Sequence, residues 1–140
     1  MYQVQEVWRK WDPINDDFGK MYLEELIKTK GAMKILLKSE EQNIALKFLF
    51  DGEVLSFCCS DEGRRLKTIN ELDKKYGTDF YKNQNYFIIE NSRYVNKFNK
   101  ETYNIYNNFK ILHYVFLLSD DVIDILSAFP PSVTIITNDY

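Results

Sequence analysis

Few side chains in this 140-residue chain are suited to carry chemistry, and their spacing sorts them. Asp120 and Asp124 bracket a DDVID segment. On a helix they would stand one turn apart, where two carboxylates can share a divalent cation. Acids in a first helical turn also complement the helix dipole without any ligand, and that plainer role is the expectation. His113, the single histidine, lies in the apolar run 109–118. A lone imidazole on an apolar face is expected to be a core group with a satisfied nitrogen, since a general base needs a partner close in space. Cys58 and Cys59 are adjacent, so a bridge between them would be strained and two free thiols are expected. One histidine and two neighbouring thiols cannot build a zinc site at standard spacing. No GxGxxG or GxxxxGK(S/T) loop is present to cradle a phosphate. The expectation is therefore no catalytic residue, no metal and no cofactor.

The remaining candidates are contact groups. Asp61, Glu62, Arg64 and Arg65 crowd a strand-to-helix junction, a place where a sheet holds binding residues rigid. Tyr103 and Tyr106 fall in an Asn-rich stretch, and tyrosine brings large contact area with a polar tip. Net charge is −3, with a pI near 5.2, which argues against a dedicated nucleic-acid binder. The charge is uneven. Residues 1–62 carry eight Lys/Arg against twelve Asp/Glu, residues 63–113 ten against five, and residues 114–140 none against four. Either folding intersperses these charges, or a basic middle surface lies between acidic flanks. The first twelve residues lack the apolar core of a signal peptide, and the most apolar stretch, 111–118, is far short of a bilayer span of about 20 residues. A cytoplasmic protein with no membrane segment is expected.

The elements that must position these groups follow from periodicity. Residues 33–38 read as a strand. An Asp51-Gly52 turn predicts a hairpin pairing Phe50 with Glu53, Phe48 with Leu55, Leu46 with Phe57, and Ile44 with Cys59. Residues 20–29 fit a helix, through Tyr22, Leu23, Leu26 and Ile27, and equally a strand. Ser60-Asp61-Glu62 offers a cap for a helix striped by Leu66, Ile69, Leu72 and Tyr76 and ended by Gly77. Residues 86–90 predict a strand, and Asn91-Ser92 caps a short helix. Residues 109–118, apolar on both faces, predict a central strand. Ser119 is expected to cap a helix burying Val122, Ile123, Ile125, Leu126 and Phe129, and residues 132–137 to form a last strand. This order suits a single α+β domain over residues 1–140, a mostly antiparallel sheet with two to four helices packed on one face.

The succession also has a likeness. It comprises Trp11-Asp12-Pro13, ILLK at 35–38, Ser60-Asp61-Glu62-Gly63 with Leu66-Lys67-Thr68-Ile69, Tyr86-Phe87 leading to Glu90-Asn91-Ser92, Ile105-Tyr106, His113-Tyr114, and the run from Asp120 to Leu126. Most of the chain thereby resembles small, stand-alone bacterial proteins of the polymorphic-toxin immunity type. The resemblance implies a non-catalytic protein-binding module whose partner is a toxin domain encoded nearby, and it carries over no catalytic residue. Two other readings stay open: a hydrolase-like enzyme using Cys59, His113 and nearby acids, and a nucleic-acid-binding module using the basic segment 63–113 and its tyrosines.

Overall fold

Alternating side chains build most of this structure, a computed structural model that describes residues 5–137 other than Asp16 and Glu53. β3 (Ala32–Ser39) buries Met33, Ile35 and Leu37, and β4 (Ile44–Asp51) buries Leu46, Phe48 and Phe50 on the same face. β2 (Met21–Lys28) pairs with β3, and β9 (Ser132–Thr137) with β4, in the order β2-β3-β4-β9. The second sheet runs β1-β6-β7-β8-β5. It is made of β1 (Val7–Lys10), β5 (Ser56–Asp61), β6 (Tyr86–Glu90), β7 (Leu112–Leu117) and β8 (Asp121–Ser127). Every pairing is antiparallel. The chain is thus an α+β protein as expected, but with two sheets rather than one.

The sheets bury one core between them and a second beneath the helices. Phe48 meets Phe116 edge-on at 5.0 Å and Tyr86 at 5.3 Å, while Trp11 packs on Tyr114 at 4.9 Å. On the opposite face of the five-stranded sheet, Trp8, Phe87, Val115, Leu117 and Val122 are covered by Leu72, Ile69 and Tyr76 of α1 (Leu66–Tyr76). α2 (Arg93–Glu101) lies on the same face, beside β7. The basic middle of the sequence therefore becomes the helical layer, which exposes Lys67, Lys74, Lys75, Arg93, Lys97 and Lys100. Among the described residues, no helix is long and apolar enough to cross a membrane.

Three expectations need correction or resolution. Within residues 20–29, Met21–Lys28 is strand β2, with a bulge between Leu23 and Glu25. The stripe at 119–129 is strand β8, not a helix: Val122 and Leu126 face the helices while Ile123 and Ile125 face the other sheet. A strand buried on both faces shows the same unbroken apolar run that a helix stripe does. The Asp51-Gly52 hairpin does not form. Phe48 stands opposite Ile35 and Val133 instead of Leu55, and Cys59 opposite Ile123 instead of Ile44. Gly52 takes φ 150°, unlike a type I′ turn, and the chain crosses there from one sheet to the other. Glu53, expected opposite Phe50, lies outside the described residues.

Candidate functional site

Positions 113 and 124 are diagonal neighbours on the helical face, because His113 stands opposite Leu126 and Val115 opposite Asp124. The His113 Nε2 is 2.7 Å from Asp124 Oδ1, and its Nδ1 is 2.7 Å from Ser92 Oγ. Ser92 is the N-cap of α2, its Oγ accepting the Val95 N–H at 3.0 Å. The Ser92 hydroxyl is thus shared between the Val95 N–H and Nδ1, while Nε2 carries the N–H that is donated to Asp124. The second Asp124 oxygen accepts from Arg65 Nη1 at 2.6 Å, while Arg65 Nε donates to Thr68 Oγ1 at 3.2 Å. Ser92, His113 and Asp124 are all buried. Burial pushes the Asp124 carboxyl up, but the hydrogen bonds and charges of His113 and Arg65 outweigh it and hold it below its ordinary value.

Serine, histidine and aspartate in a row match the membership of a hydrolase triad, so their commitments decide what they do. Here the hydroxyl caps a helix, both ring nitrogens are bonded, and both carboxylate oxygens are taken. Tyr94 closes the side of the network, edge-on to His113 at 5.4 Å, with its hydroxyl bonded to that of Ser56 and accepting from Cys58 Sγ at 3.5 Å. The arrangement ties α1 and α2 to β7 and β8. Cys59 stays outside it: opposite Ile123, it belongs to the other face of the sheet from His113. Burial first, then Asp121, Asp124 and Cys58, push the Cys59 thiol up and away from the reactive thiolate. Asp120 remains exposed in the β7–β8 turn while Asp124 is engaged inward, so the two do not form a shared cation site.

The charged junction is built at one end of β5 and β8. Asp61 stands opposite Asp121, and its Oδ1 accepts from the Gly63 N–H at 2.7 Å, capping a 3-10 turn over Glu62–Arg64. The Glu62 N–H donates to the Asp120 carbonyl at 2.8 Å. Burial, with Asp61 and Asp120 nearby, pushes the Asp121 carboxyl up. A cleft of about 390 Å³ beside it is lined by Lys20, Glu40, Glu62 and Asp120. Burial lowers Lys20 to about 8, against the pull of Glu62 and Glu40. Its ammonium donates to the carbonyls of Leu117 at 2.8 Å, Tyr81 at 2.9 Å and Gln84 at 3.3 Å, which clamps the loop before β6 to the end of β7.

The aromatic candidates lie at the opposite end of the same sheet. Beyond α2 the chain turns through two consecutive left-handed residues, Tyr103 at φ 52° and Asn104 at φ 58°. Tyr103 is 90% exposed, Ile105 68% and Phe109 55%. Tyr106 is half-buried, packed at tilted angles between Phe98 at 5.4 Å and Phe109 at 6.0 Å. Phe109 precedes β7 and the exposed Phe129 follows β8 at this end, because Leu112 stands opposite Ser127.

The expected contact set therefore divides. Asp61, Glu62 and Arg64 lie at one end, Tyr103 and Tyr106 at the other, and Arg65 departs from its expected surface role by turning inward to Asp124. Sequence reasoning missed the Ser92–His113–Asp124 network, the Lys20 clamp, and the exposure of Ile105 and Phe109. One signal for the network was present: an aspartate inside Val122-Ile123-Asp124-Ile125-Leu126 must find a partner if that run is buried. No protein-family model, no curated protein and no solved structure matches the chain.

Proposed function

We propose that the chain is a non-catalytic protein-binding module that neutralises a partner, a toxin domain encoded nearby, in the bacterial cytoplasm. The observation that carries this reading is the turn after α2, where Tyr103, Ile105 and Phe109 are exposed and the backbone of Tyr103 itself is left-handed. A bulky residue in that conformation costs on the order of 1–2 kcal/mol, and such strain concentrates at functional positions. Exposed aromatics braced by Tyr106 and Phe98 are suited to act as anchors in a desolvated interface centre. The basic helical layer beside them would steer an acidic partner surface toward this end. Asp61, Glu62 and Arg64 form a second, polar contact region at the far end of the sheet. Supporting the non-catalytic part is the burial of Ser92, His113 and Asp124, with the Ser92 hydroxyl capping α2 and Asp124 paired with Arg65.

Co-expression with the product of the adjacent gene tests the reading. The expected result is a complex that co-purifies and loses affinity at least tenfold when Tyr103 and Phe109 are both replaced by alanine. A neighbouring product with no affinity for the chain, or an unaffected double variant, contradicts it.

A further inference from the structure

The four edges of the two sheets are not guarded equally. β2 carries a bulge together with Glu24, Glu25 and Lys28, and β1 is four residues long and ends in Arg9 and Lys10. β5 ends in Asp61 and has Tyr94 bonded to its Ser56 and Cys58 side chains. These are the devices by which native edges resist pairing: short strands, charges, bulges and cover. β9 has none of them. Its six residues, Ser132 to Thr137, are uncharged and mostly β-branched, with Ile135 and Ile136 exposed. It pairs with β4 along one side, and among the described residues no strand pairs with the other. Alternate residues of such a strand turn their N–H and C=O outward, a solvated row that is a ready template for a further strand.

We propose that β9 is the edge at which a second copy of this chain joins, antiparallel, to make one continuous eight-stranded sheet. This goes beyond the protein-binding function and does not depend on it. The argument for a second copy is self-complementarity. Val133 and Ile135 stand opposite Phe48 and Leu46 on the inner face, where Val133 packs against the core and Ile135 stays exposed, whereas Thr134 and Ile136 stand opposite Lys47 and Ala45 on the outer face. A twofold axis normal to the sheet pairs residues of the same face, which centres the register on Thr134 or on Ile135. Centred on Thr134, Val133 meets Ile135 and Thr134 meets its own copy; centred on Ile135, Thr134 meets Ile136. In either case β-branched residues oppose one another and no like charges meet within the pair, since the strand carries none. The pairing is isologous and closes, because the twofold uses the same edge of both copies.

Sedimentation of the full chain over roughly a hundredfold range of micromolar concentration tests this. The expected result is passage from the 16.7 kDa monomer to a species of twice that mass, with β9 amides gaining protection from hydrogen exchange as concentration rises. Thr134→Lys sits on the exposed outer face, so its circular dichroism and melting should match the unmodified chain. It should weaken dimerisation at least tenfold, whereas Thr134→Val should not. A monomer at every concentration with concentration-independent exchange in β9 overturns the proposal, as does a folded Thr134→Lys variant that dimerises unchanged. If β9 gains protection only when the adjacent gene's product is added, the edge serves a different partner and the proposal also fails.

Discussion

Asp124 concentrates the argument at the scale of single residues. It is a carboxylate in the middle of a buried strand, and it is tolerable there because His113 and Arg65 occupy both of its oxygens. Its native proton affinity lies below the ordinary 3.8, so the unfolded chain binds the proton more tightly. The stability this contributes is present above about pH 4 and is lost as pH falls through the native value. Asp124→Asn should cost about 2–4 kcal/mol at neutral pH, by leaving Arg65 and the His113 N–H poorly paired, and should flatten the loss of stability in acid. Denaturant melts of both proteins between pH 3 and 7 check both effects. The histidine's role as a core group was legible, because an imidazole on one face with Phe109, Ile111, Val115 and Leu117 has little access to solvent. Its partners were not. Ser92 is 21 positions away and Asp124 is 11, and only the β7–β8 register and the seating of α2 bring them together.

Among the elements, the turn that follows α2 combines strain with exposure. Tyr103 makes few contacts that would compensate for a left-handed backbone, and glycine occupies that region freely. Tyr103→Gly should therefore leave the fold as stable or raise it by about 0.5–1 kcal/mol, while weakening partner binding; chemical melts and the co-purification assay read the two effects separately. α1 and α2 were readable from local chemistry, since Ser92 and Gly77 cap and end them as their types suggest. The alternation in β3 was likewise plain. β8 was misread because Val122, Ile123, Ile125 and Leu126 satisfy a helical stripe and a doubly buried strand at once. The Asp51-Gly52 signal failed for a different reason: alternation specifies which residues face inward but not which strand lies alongside.

In the whole molecule, one shared core joins two sheets that sequence-local signals assigned to one. Phe48 is its centre, in contact with Tyr86 and Phe116 from the opposite sheet and with Trp11 just after β1. Phe48→Ala should cost about 3–5 kcal/mol in denaturant melts, the range for an emptied core aromatic, and a near-zero loss would show that the sheets do not pack through this ring. The same architecture separates the charged junction from the aromatic end by the length of β7 and β8. It also places the polar network under both helices, where it secures the scaffold that holds the aromatic turn. The most direct check of this division is calorimetric titration of the adjacent gene's product into three forms of the chain: unmodified, Tyr103→Ala with Phe109→Ala, and Asp61→Ala with Arg64→Ala. Tight binding by the first, a loss of at least tenfold in the second and a smaller loss in the third are the expected results. Equal affinity across all three, or no heat of binding to the unmodified chain, would contradict the claim that the chain works through its aromatic end.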